Sequence, residues 1–195
     1  AGSTVLDPDW VYEEIRIMIT TSEPHPEASG RDLADIAKEW GLSLRDAAAK
    51  LLPAGAIYFQ IDEADMQRIL AYPPTMIGSD GLPHDSHPHP RLWGTFPRVL
   101  GHYCRDLGLF DLETAVHKMT GLPAKTFGLK DRGVVREGAH ADLVVFDADN
   151  IRDLATYEKP LQQSMGIDYV LVNGVLSLML GNLCPERAGR VVRNN

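Results

Sequence analysis

Between Ser29 and Pro53 the apolar positions fall into two helical repeats. In SGRDLADIAKEWG, Leu33, Ile36, Ala37 and Trp40 recur at i, i+3, i+4 and i+7, and Gly41 supplies the stop. In SLRDAAAKLLP, Ser43 and Asp46 imitate a capping box, and Pro53 bars continuation. The aromatic and β-branched run GAIYFQI predicts a short strand. DEADMQRILAYPP predicts a third helix, with Asp62 as N-cap and the paired prolines as its end. PTMIGSD is a brief apolar run that stops at Gly78, which predicts a buried strand opening into a loop. FPRVLGHYCRDLG places Phe96, Val99, Leu100, Tyr103 and Leu107 on one helical face. DLETAVHKMTG does the same with Leu112, Ala115, Val116 and Met119 before Gly121, and LPAKTFGL predicts one more short helical turn.

After Gly128 the texture changes. RGVVREGAHADLVVFDAD and IDYVLVNGVLSLML alternate β-rich runs with turn signals at EGAHAD and at Asn173-Gly174. Helices with an occasional strand therefore come first and a β ending follows, with a boundary near residue 128. No internal repeat or low-complexity tract stands out, and the tail PERAGRVVRNN is expected to be loosely held.

The 195 residues suffice for one substantial core, or for one domain and part of another. With 19 basic against 27 acidic residues the formal charge is −8, which argues against a nucleic-acid surface. It says little about small anionic substrates, since one placed arginine outweighs the global sign. Cys104 and Cys184 lie far apart and make no CxxC spacing, so a reduced, cytoplasmic protein is the simplest expectation. No apolar run approaches the roughly 20 residues that span a bilayer, and no signal peptide is visible. The opening AGSTVLDPDW reads as the interior of a longer chain, so a fragment is expected.

The densest chemistry lies in MIGSDGLPHDSHPHPRLWG. His87 and His89 form H-x-H, and in an extended chain such side chains share a face and can chelate one ion. Pro83, Pro88 and Pro90 favour that extension, yet H-x-H in a Pro-rich loop is a weak signal. Asp80 follows the predicted strand end, where barrels and open sheets carry reactive groups, and a carboxylate there can deprotonate a metal-bound water. An Asx-turn is the competing role. Arg91 offers a fork that matches a substrate carboxylate, or equally an ion pair with Asp80 or Asp85. His84 and His102 have no evident partner, His117 suits packing beside its helix's apolar face, and Asp142 and Asp147 read as turn residues.

The stretch from IGSDGLPHDSHPHPRLWGTFPRVLGHYCRDLG to LPAKTFGL resembles the C-terminal part of the D-aminoacylases (N-acyl-D-amino-acid deacylases) of the metal-dependent amidohydrolase superfamily. AGSTVLDP, PAGAIYF, DRGVVREGAHADLVVFD and VLVNGVL are similar to further parts of the family pattern. The resemblance implies an α/β fold, namely the C-terminal part of a (β/α)8 TIM-like barrel followed by β strands of a small β-sandwich domain. Residues 1–127 would be barrel, about 8–55 a lid-like helical insertion, and 128–195 the sandwich segment. The implied reaction is zinc-dependent hydrolysis of an N-acyl-D-amino acid to a carboxylate and a D-amino acid. By the same resemblance Asp80 is the catalytic, metal-contacting aspartate, and Arg91 and Ser3 hold the substrate's α-carboxylate.

The family's principal metal ligands have no counterpart in these residues, because His87 and His89 align after the aspartate rather than with the early ligands. The chain is therefore expected to need a missing N-terminal barrel portion as its partner, and to be inactive without it. Two alternatives remain at this level: an amidohydrolase acting on a cyclic amide, and a non-catalytic scaffold that has kept the fold.

Overall fold

A computed structural model describes residues 7–81 and 85–193. The chain divides into two interleaved compact units, one built from residues 1–63, 80–92 and 155–161, the other from 64–79, 93–154 and 162–195.

In the first unit, helix α1 (Asp9–Glu14) leads into strand β1 (Arg16–Ser22), which pairs antiparallel with β2 (Ala54–Phe59). Helices α2 (Leu33–Trp40) and α3 (Leu44–Leu51) stand where their apolar periods predict. Gly41 ends α2 at φ 64°, the left-handed conformation that glycine adopts without steric cost. Ser43 caps α3 by accepting the Asp46 N–H at 3.1 Å. Ile36, Ala47 and Leu51 are fully buried and share one cluster with Val11, Ile17, Ile19 and Leu33. Strand β1 lies within the stretch of about 8–55 expected as a lid-like helical insertion, and the sequence reading assigned no strand there. Its signal was local, a β-branched series of Ile17, Ile19, Thr20 and Thr21.

The second unit begins along α4 (Glu63–Ala71). Residues 74–80 form no strand. A strand exists only by sharing a ladder with a neighbour, and among the described residues this segment has one backbone bond to another element, from the Ile77 N–H to the Lys118 carbonyl at 3.2 Å.

The helix expected over Phe96–Leu107 starts earlier, as α5 (Arg91–Arg98), and continues as a π-helix over Val99–Asp106. Pro97 lacks the N–H that would serve the Trp93 carbonyl one turn back, and the Ser164 hydroxyl donates to that carbonyl instead, at 3.1 Å. The i→i+5 bonding that follows breaks the 3.6 period. Val99, Leu100 and Tyr103 are accordingly buried, whereas Phe96 and Leu107 are exposed. Gly101 sits against this helix's neighbour so closely that a Cβ would lie 2.4 Å from the Ile151 carbonyl oxygen. Helices α6 (Leu112–Met119) and α7 (Gly121–Thr126) follow as predicted, and Asp111 caps α6 by accepting the Thr114 N–H at 2.8 Å.

The β ending is one antiparallel sheet in the order β3 (Leu143–Phe146), β4 (Ile167–Val172), β5 (Val175–Met179) and β6 (Asn182–Leu183). Asn173 and Gly174, both at positive φ, turn β4 into β5. Val134 and Val135 lie outside any strand and are exposed. Asp142 accepts the Asn173 N–H at 2.7 Å, and Asp147 accepts the Asp149 N–H at 2.9 Å, the turn roles read from the sequence. His117 is exposed, so the packing expected of it is not found.

Candidate active site

The segment before Asp80 is fastened by a buried lysine. Lys118 on α6 is 2% exposed, and its Nζ donates to the carbonyls of Tyr72 at 2.6 Å, Thr75 at 3.2 Å and Pro73 at 3.4 Å. An ammonium in that place must find acceptors for its donors, and the open turn after α4 provides them. Burial lowers the Lys118 pKa. Since the Lys118 carbonyl also takes the Ile77 N–H, one residue ties down the chain at four points shortly before Asp80.

Asp80 has φ 46°, the left-handed region that aspartate enters more readily than most residues. This turns its carbonyl and its carboxylate toward one partner. Arg91 Nε donates to the Asp80 carbonyl oxygen at 2.7 Å, and Arg91 Nη2 lies 2.9 Å from Asp80 Oδ2. The Asp80 side chain is 83% exposed and that of Arg91 44%, so both remain open to a ligand. Gly81 keeps the two together, because a Cβ there would stand 2.4 Å from Leu92 Cδ1 and 2.9 Å from Leu92 Cα. Of the two roles weighed for Arg91, the ion pair with Asp80 is present; an exposed pair of this kind is weak enough to exchange.

The H-x-H histidines are engaged with protein. His89 Nδ1 accepts the Arg91 N–H at 3.0 Å, which leaves its proton on Nε2, 3.4 Å from the Tyr157 hydroxyl. His87 Nε2 donates to the Tyr157 carbonyl at 2.5 Å. Burial, then the charge of Arg91, pushes the His89 pKa down to about 4, against a smaller upward pull from Asp80.

The structure thus brings Asp80 and Arg91 together. Ser3 and His84 lie outside the described residues. Among the described residues no three of His, Cys, Asp and Glu converge as a metal cage. Sequence reasoning missed Tyr157 and Lys118. Tyr157 is 68 positions from His89 and carries no local signal, whereas Lys118 sits three residues after Ala115 in the buried stripe of its helix.

The amidohydrolase family model matches residues 42–177, and the chain belongs to that family. It is 58% identical over 98% of its length to the D-aminoacylase of Alcaligenes xylosoxydans xylosoxydans, of which it covers 40%. Among solved structures it matches a D-aminoacylase studied for its binuclear metal center, with a TM-score of 0.92, 59% identity, 98% of this chain and 40% of that one. It also matches the N-acyl-D-glutamate deacylase of Bordetella bronchiseptica complexed with zinc and a phosphonate mimic of the tetrahedral intermediate, with a TM-score of 0.85, 55% identity, 90% of this chain and 37% of that one. The α/β fold is that of the matching part of those enzymes. The chain spans about two fifths of the length of the curated relatives it matches.

Proposed function

We propose that this chain carries the proton carrier and the carboxylate clamp of a zinc-dependent enzyme that hydrolyses N-acyl-D-amino acids to a carboxylate and a D-amino acid. The observation that carries this reading is the direct pairing of Asp80 with Arg91 in a chain 58% identical to D-aminoacylase over nearly its whole length.

Zinc, when bound, polarises the amide carbonyl and makes water a nucleophile at neutral pH. The chain covers 40% of the D-aminoacylase it matches, which supports assigning the ion mainly to residues of an N-terminal barrel portion, with Asp80 as this chain's contribution. Asp80 accepts the proton of the attacking water and returns it to the leaving amine. Arg91 takes the substrate's α-carboxylate as a fork, exchanging the Asp80 carboxylate for it while its Nε stays on the Asp80 carbonyl. One binding event then both anchors the substrate and frees the base. Ser3 is assigned to the same carboxylate.

Residues 1–127 are read as barrel, about 8–55 as a lid-like insertion, and 128–195 as the sandwich segment. The exposure of Val144 and Leu183, which the ladder puts on one face through Val170 and Leu178, supports a sheet that has a further layer to meet. Both cysteines are free thiols, which supports the cytoplasm as the compartment, and no described helix is long and apolar enough to cross a membrane.

A zinc titration of the 195 residues, alone and joined to the remaining barrel portion, tests the reading. The expected result is turnover of an N-acetyl-D-amino acid only in the joined protein; tight stoichiometric zinc binding with turnover by the isolated chain would refute the division of labour.

A further inference from the structure

The first turn of α5 presents N–H groups that no helical carbonyl can serve, and two of them end on the same residue. The Leu92 N–H bonds to the His89 carbonyl at 3.0 Å, and the Arg91 N–H to the His89 ring at Nδ1, also at 3.0 Å. Any residue offers the first acceptor; only a side chain with a correctly placed lone pair offers the second. The His89 ring is itself held at its far side. Its Nε2 faces the Tyr157 hydroxyl at 3.4 Å, and the two rings meet edge to face at 5.2 Å. Tyr157 is fixed in turn by its carbonyl, which accepts from His87 Nε2 at 2.5 Å, and by the Phe59 ring at 4.7 Å. The His87 ring is pressed onto the backbone at Gly30, where a Cβ would come within 2.8 Å of it, and Pro88 between the two histidines is fully buried.

We propose that His89 is a positioning residue for Arg91: braced by Tyr157, its imidazole sets the first turn of α5 and so aims the guanidinium, which makes the H-x-H pair part of carboxylate recognition rather than of metal ligation. The inference rests on the assignment of Arg91 as the carboxylate clamp. Both ring nitrogens of His89 are committed, one as acceptor and one as donor, so the ring has no lone pair left for a cation. Displacing the brace lets α5 begin with an unserved N–H and a wandering Arg91, while the Asp80 carboxylate itself is kept. The cost falls on binding of the anionic end of the substrate and not on the chemical step.

The test uses the full-length protein with His89→Ala, His89→Asn and Tyr157→Phe, and Arg91→Ala for reference. Asparagine carries an oxygen where Nδ1 stood and so keeps the acceptor. His89→Ala is expected to raise KM for an N-acetyl-D-amino acid by roughly five- to tenfold, the worth of one hydrogen bond, with kcat within about twofold. His89→Asn should recover most of that loss, Tyr157→Phe should show a smaller rise, and KM for the uncharged α-carboxamide should not move in any of them. Zinc per chain, measured by atomic emission, should equal the wild type. In the wild-type protein, 15N NMR should show His89 protonated on Nε2.

Loss of zinc in His89→Ala, a fall in kcat at constant KM, failure of asparagine to recover KM, or an Nδ1-protonated ring would each overturn the proposal. Should His89→Ala fail to fold, the tautomer and the asparagine variant decide. If Arg91→Ala leaves KM unchanged, the clamp assignment itself is wrong, and that outcome is separable because the tautomer and zinc readouts do not depend on it.

Discussion

The Arg91 guanidinium holds Asp80 at two points, the main-chain oxygen at 2.7 Å and the carboxylate at 2.9 Å. One contact is with an atom every residue has, the other with the atoms that would move a proton. Two substitutions therefore separate. Asp80→Asn keeps the main-chain contact and removes the base, so kcat should fall by roughly 10²–10⁴-fold with KM little changed. Arg91→Ala should chiefly raise KM, and only for substrates with a free α-carboxylate. Steady-state kinetics with paired carboxylate and carboxamide substrates checks both; a kcat effect confined to Arg91→Ala would reverse the roles.

Gly81 is the spacer that permits this pairing. In Gly81→Ala the new methyl would lie 2.9 Å from Leu92 Cα, a backbone atom at the start of α5 that cannot turn aside. A displacement near 1 Å at a reacting group costs about 100-fold in rate, and overpacking costs about 1–3 kcal/mol of stability. Activity and the denaturation midpoint should both drop, and wild-type values for both would show that the loop accommodates the methyl freely.

Lys118 makes a prediction about stability alone. Lys118→Met keeps the stem and deletes the ammonium, leaving the carbonyls of Tyr72, Pro73 and Thr75 without their donor. The expected loss is about 1–3 kcal/mol, read from urea denaturation. A variant as stable as the parent would mean that water replaces the ammonium without penalty.

Acid should loosen the brace on α5. The folded-state pKa of His89, pushed down to about 4, lies below the unfolded value near 6.5, so the unfolded chain binds more protons between the two. The neutral ring's contribution is complete above about pH 6.5 and is lost as the pH falls through about 4. The stability difference between wild type and His89→Asn should therefore shrink on acidification across that window, measured as melting midpoints at stepped pH. A difference that stays flat from pH 7 to 4 would contradict the assignment.

The local rules were legible wherever a residue answers to its near neighbours. Ser43 and Asp111 cap the helices whose starts they mark, Gly41 ends α2, and Asn173-Gly174 turns the hairpin, because each of these acts within a few residues of itself. The apolar periods of α2, α3 and α6 were equally plain. The period failed at Val99–Asp106, where the bonding lengthens to i→i+5 after Pro97, and over residues 74–80, which join no ladder among the described residues.

The site was only half visible. Asp80 and Arg91 stood out as chemistry in a loop, and family resemblance assigned their roles. The sequence left open whether Arg91 meets a ligand or Asp80, and whether H-x-H binds an ion or the protein. Those questions turn on which atoms lie within 3 Å across tens of residues, and no spacing encodes that. Tertiary packing supplies the contacts on which they turn, bringing Tyr157 onto the histidines and Leu92 against Gly81. Short-range bonding is written in the order of residues; long-range pairing exists only once the chain has folded.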